Sequence, residues 1–138
     1  MAILRYTASA DNTIANAYEA NLTTRGTGSN MGYADSLEIF SIYGQESGSS
    51  GQSQELSRAL IEFPVSTISA DRTAGTIPAS GSVSFYLKMF NAEHNQTVPE
   101  KVTCTAHPLV KSWTEGGGLD MESFLDTGAS NWLSASAG

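Results

Sequence analysis

The sequence predicts an all-β fold, a jelly-roll-like antiparallel β-sandwich, and three observations carry that prediction. Short runs of β-branched and aromatic residues are separated by clusters of Gly, Ser, Asn and Pro. The clearest apolar period is 2: in Ser82–Phe90, Val83, Phe85, Leu87 and Met89 alternate with Ser84, Tyr86 and Lys88. A chain of 138 residues suffices for one domain that buries about two-thirds of its extended-chain surface without disulfides or metals. Residues 1–138 are therefore expected to share one core.

Strands are expected at Ala2–Ala8, Thr13–Ala17, Leu37–Tyr43, Ser57–Phe63, Ser82–Phe90 and Val102–Val110. In the fourth, Ala59, Ile61 and Phe63 share one face and Arg58, Leu60 and Glu62 the other, so Leu60 is expected to meet a second surface. The fifth turns Phe85 inward. In the sixth, Val102, Cys104 and Ala106 alternate with Thr103 and Thr105, which places Cys104 inward as a small apolar residue. The stretch GQESGSSGQS makes a mobile loop at about residues 44–54. One helical turn is expected near Leu119, where Asp120, Glu122 and Asp126 mix with Met121, Phe124 and Leu125.

Charge and composition exclude whole classes of function. The formal net charge is −7 and the seven Lys and Arg are scattered singly, so no basic stripe exists to neutralise phosphates; nucleic-acid binding is not expected. No apolar run approaches the ~18 residues of a membrane span. MAILRYTAS lacks a charged lead followed by an apolar run, so no signal peptide is expected. With Cys104 as the single cysteine an internal disulfide is impossible, and synthesis in a cytoplasm is the simpler expectation. Only 15% of residues are charged, and 19 Ser and 13 Thr supply much of the polar surface, a composition suited to close packing in an assembly.

No catalytic set stands out. His94 and His107 are the only histidines and neither adjoins a nucleophile motif. The GxGxxxG spacing of Gly26–Gly32 leads into a strand and not a helix, so it is expected to be a wide surface loop, with no dinucleotide bound. Glu115, Asp120, Glu122 and Asp126 are hard-oxygen groups of the type calcium takes, although a solvated acidic face is the ordinary outcome. Catalytic, cofactor and metal sites are accordingly expected to be absent. Trp113, Trp132, Tyr18, Tyr33 and Tyr43 are the aromatics able to stack on a sugar.

The order of segments resembles a known family. Asp11-Asn12-Thr13-Ile14, then Gly28-Ser29-Asn30-Met31-Gly32-Tyr33-Ala34-Asp35-Ser36-Leu37-Glu38-Ile39, then Ser57-Arg58-Ala59-Leu60-Ile61-Glu62-Phe63, look like successive blocks of the DNRLRE-type domain. Ile77-Pro78-Ala79-Ser80-Gly81 and Lys111-Ser112-Trp113-Thr114-Glu115-Gly116 continue the likeness, which spans about Asp11 to Gly116. These are strand-and-turn signatures and carry no catalytic residues.

The resemblance implies a non-catalytic β-sandwich used as a surface appendage. The Ile68–Ile77 insertion and the Ser/Thr richness also look similar to virion-associated proteins of marine tailed bacteriophages. The expectation is thus a virion structural protein made in the host cytoplasm, a head decoration (cement) or neck component. Its partners would be other virion proteins of capsid, neck or tail, with symmetric or homo-oligomeric placement. Its contacts are expected at the two ends, through Met1, Leu4, Tyr6, Trp132 and Leu133. A carbohydrate-binding module or receptor-binding tail domain is the alternative. In the family more strands follow the "W-T-E-G" block, so the chain is expected to be the N-terminal part of a longer protein.

Overall fold

A computed structural model describes residues 3–45, 52–79, 81–93, 95, 97 and 100–136. Among the described residues are three strands, β1 (Ala10–Ala15), β2 (Ser41–Gln45) and β3 (Gln52–Glu62), and one helix, α1 (Val65–Thr73). The strands form an antiparallel sheet in the order β1-β3-β2, with Ala10 opposite Glu62 and Ser41 opposite Leu56. The chain divides into two compact units, Met1–Pro64 with Lys111–Gly138, and Val65–Val110.

In the first unit, β3 follows its expected alternation: Glu55 and Ser57 are buried and Ala59 and Ile61 half-buried, while Arg58 and Glu62 are exposed. Leu60, on the charged face, is half-buried. β1 begins earlier than its apolar content suggests because its polar residues are tied from outside the sheet; Asn12, Thr13, Ile14 and Ala15 are all buried.

The run Leu37–Phe40, expected as strand, bonds through hydroxyl groups. Glu38 N–H donates to Thr13 Oγ1 (3.0 Å), Phe40 N–H donates to Ser57 Oγ (2.7 Å), and Ser57 Oγ–H donates to Glu38 O (2.9 Å). Apart from Ser57 N–H donating to Phe40 O (3.1 Å), side chains here take the place of ladder partners.

The helix was not expected from apolar period, and none of its residues is buried. Its ends explain it. Pro64 precedes it, and at the far end Gly75 takes φ 76°, with Gly75 N–H donating to Arg72 O (3.1 Å) and Thr76 N–H to Asp71 O (2.9 Å). That double closure satisfies terminal carbonyls and requires a residue tolerant of positive φ. The glycine was the available signal.

Three sequence expectations are corrected. No ladder forms in Ser82–Phe90 or Val102–Val110; Phe85, expected inward, is 63% exposed, and Cys104 is exposed as well. A period-2 pattern specifies which residues share a face, but a face is buried only when another strand or layer covers it. Residues 3–8 form no ladder either, although Ser9 N–H donates to Glu62 O (2.8 Å). Near Leu119 there is a turn instead of a helix: Asp120 Oδ1 accepts from the N–H groups of Glu122, Ser123 and Phe124 at 2.9, 2.8 and 3.0 Å. The carboxylate caps N–H groups as it would at a helix start, and no helix follows. His94 and residues 46–51 of the expected loop lie outside the described residues.

Candidate functional site

The largest fully buried side chains are polar: Asn12, Asn30, Thr13, Ser29 and Ser130. Two asparagines organise them. Asn12, 0% exposed, donates from Nδ2 to Ser130 Oγ (2.8 Å) and Ser130 O (3.1 Å), and its Oδ1 accepts Met31 N–H (2.9 Å). Asn30, also 0% exposed, donates to Glu115 O (2.8 Å) and Ser130 O (2.9 Å), while its Oδ1 accepts Gly32 N–H (3.0 Å) and Gly118 N–H (2.9 Å). All four positions of the Asn30 amide are used, which offsets the cost of burying it.

The loops that reach this lock approach one another closely. A Cβ on Gly32 would overlap Glu115 O, one on Gly118 would overlap Asn30 O, and one on Gly116 would overlap the Ala129 Cβ. Gly116 also holds φ 83°. Glycine is therefore required there twice over, by space and by backbone conformation.

The blocks around Asn12, Asn30 and Glu115, far apart in sequence, converge here. In sequence these segments are strand-and-turn signatures, and no motif in them marks Asn12 or Asn30 for a role. Asparagine inside an otherwise strand-like or Gly-rich run was the usable signal.

Each member of the acidic set is engaged as a loop strut. Glu115 Oε1 accepts Asp11 N–H (2.7 Å), Glu122 Oε1 accepts Ala20 N–H (2.6 Å), and Asp126 Oδ2 accepts Gly117 N–H. Among the described residues no group of three or more His, Cys, Asp or Glu is placed to hold a metal ion. Burial pushes the Asp11 carboxyl above its ordinary value, and the nearby Glu115 charge adds to the rise. Asp120 is held below its ordinary value by the N–H groups of Phe124 and Ser123, with Glu122 adding to them.

Two open depressions lie beside the 119–125 loop. One, of about 350 Å³, is lined by Tyr18, Met31, Glu38, Asp120 and Glu122 among others. The other, of about 390 Å³, includes Glu19, Arg25, Ser29 and Leu125. The Arg25 guanidinium covers one face of Tyr18, 3.8 Å from the ring centroid, and donates to Asn16 O (2.6 Å).

Four of the five residues expected to bind partners are among the described ones. Leu4 and Leu133 are exposed, Leu133 at 78%, and Tyr6 is half-buried; Met1 lies outside the described residues. Trp132 is half-buried, with Arg58 4.4 Å over its ring and its backbone N–H donating to Thr27 O (3.1 Å). Trp132 and Leu133 share a turn in which Asn131 Oδ1 accepts the N–H of Leu133 and of Ser134, both at 2.9 Å. Thr114 N–H donates to Ala135 O (3.0 Å), so bonds within this chain hold the Ser/Ala-rich end through Ala135.

Exposed apolar side chains occur in both units and stand densest in the second, which has half the length of the first. Tyr86 is 88% and Phe90 80% exposed, and Leu87, Met89, Val102, Leu109 and Val110 are exposed too. That unit is neutral: Arg72, Lys88 and Lys101 balance Asp71, Glu93 and Glu100, which leaves the whole −7 on the first unit. Among the described residues no helix is long and apolar enough to cross a membrane. The chain matches no family model, no curated protein and no solved structure.

Proposed function

We propose that this chain is a non-enzymatic structural protein of a tailed-phage virion, a head decoration or neck component that works through protein–protein contacts. In this reading the antiparallel sheet is part of a jelly-roll-like β-sandwich of the DNRLRE type. Its partners are other virion proteins, arranged symmetrically, and it is made in the host cytoplasm before it joins the particle.

The observation that carries the reading is the run of exposed apolar residues between Ser82 and Val110. Apolar side chains left in water in such number mark surfaces that other proteins cover. The carboxylates of the first unit act as struts for backbone N–H groups, a use that suits a scaffold. Mass spectrometry of purified particles of the virus that encodes the chain tests this. The chain should be present at many copies per particle, and its absence from particles would overturn the proposal.

A carbohydrate-binding or receptor-binding role draws on one observation, the depression in which Tyr18 stands with Glu38, Asp120 and Glu122. One ring face and several hydroxyl-seeking carboxylates are the elements a sugar would use. Glycan-array binding that is lost in Tyr18→Ala would favour it over the assembly role.

A further inference from the structure

We infer that Ser82–Phe90 is a self-complementary strand that pairs antiparallel, about Tyr86, with the same segment of a second copy of this chain. The inference rests on the assembly reading and names one partner within it. From Val83 to Glu93 the backbone makes no turn, sharp bend or ladder. Such a run presents N–H and C=O groups that a neighbouring strand satisfies.

The order of side chains identifies the partner. Antiparallel pairing centred on Tyr86 sets Val83 opposite Met89 and Phe85 opposite Leu87, so one face of the pair is apolar throughout. On the other face Tyr86 meets its own copy, Ser84 faces Lys88 and Ser82 faces Phe90. Lys88 is the only charged residue in the segment. A parallel, in-register pair would set Lys88 against Lys88, whereas the antiparallel pair separates them. The arrangement is a two-fold interface in which the same patch serves both copies.

Charge selects the same contact. The first unit carries the full −7 and repels its own copy, while the second unit is neutral. Two copies therefore meet with least repulsion through the second unit.

Sedimentation velocity on the full chain in a Cys104→Ser background, with single cysteines added, tests the register. A concentration-dependent dimer is expected. Tyr86→Cys should oxidise to a covalent dimer, Ser84→Cys alone should not, and a mixture of Ser84→Cys with Lys88→Cys should cross-link. Phe85→Asp should weaken the dimer about tenfold or more and leave the circular dichroism of the lone chain unchanged, because Phe85 is exposed there. A chain that stays monomeric at every concentration, or cross-linking indifferent to register, overturns the pairing. If that monomer still occupies particles, the assembly role stands without this contact. If the dimer forms but particles lack the chain, the pairing stands and the virion role falls.

Discussion

The two units of the chain solve opposite problems. The first buries polar groups and bonds them, Ser29 Oγ excepted: Asn12, Asn30 and Ser130 close loops that come from both ends of the sequence. The second leaves Phe85, Tyr86 and Phe90 in water and balances its charges. Polar burial is specific because an amide in the wrong place loses its partners. Apolar exposure keeps a surface available for another protein. Polar side chains fill the interior of the first unit, and apolar ones stand densest on the surface of the second.

Two truncations, measured by denaturant unfolding of the dilute chain, should separate the units most widely. Asn30→Ala removes four hydrogen bonds and strands Glu115 O, Gly32 N–H and Gly118 N–H. With ~1–3 kcal/mol for each buried group left unsatisfied, a loss of at least about 3 kcal/mol is expected. Phe85→Ala should cost less than about 0.5 kcal/mol, since its ring is already in water. Period 2 alone would predict the reverse, with about 3–5 kcal/mol lost on truncating a buried Phe85. Equal effects would erase the distinction between the units.

Glycine substitutions sharpen the comparison at a smaller scale. Gly118→Ala drives a methyl group into the Asn30 carbonyl, where backbone must shift. Gly75→Ala meets nothing within 4 Å and carries only the strain of φ 76°. The expected costs are about 2 kcal/mol or more for Gly118→Ala and about 1 kcal/mol for Gly75→Ala. Thermal unfolding of both variants checks the order, and a Gly75→Ala loss larger than that of Gly118→Ala would contradict the close approach.

How much of this was legible in the sequence depends on which interactions decide each element. β3 was readable from Ser57 on, because Ala59 and Ile61 against Arg58 and Glu62 is an alternation that burial follows, whereas its start, residues 52–54, has the polar composition of the expected loop. β1 was readable only at its apolar end; its start is set by Glu115, more than a hundred residues away. Ser82–Phe90 has the strongest strand pattern in the chain and no ladder. Pattern reports what a segment can pair with, and pairing itself needs a second strand. The lock was hidden for a different reason. Asn12 and Asn30 look like turn residues, and nothing local reveals that their amides face distant carbonyls.

The smallest expected effect concerns two carboxylates whose shifts oppose each other within the first unit. Asp120 is stabilised in its charged form by the N–H groups of Phe124, Ser123 and Glu122. Its contribution is present above the unfolded value of about 3.9 and is lost as pH falls through the lower folded value. Asp11 runs the other way, since burial and the Glu115 charge raise its folded value. The charged form of Asp11 therefore opposes folding at neutral pH; that opposition fades as pH falls through the raised folded value and is gone well below about 3.9, where both states are protonated. Asp11→Asn keeps the N–H that donates to Glu115 Oε1, because that donor belongs to the backbone. The variant should be slightly more stable than the parent at about pH 7 and indistinguishable from it at about pH 3. Asp120→Asn should be less stable at about pH 7 and lose that difference only at lower pH, as the parent carboxylate protonates. Urea midpoints of the two variants at both pH values check the signs. A destabilised Asp11→Asn at neutral pH would mean that its carboxylate is held by a partner in the fold, and the proximity of Asp11 to Glu115 would no longer explain its behaviour.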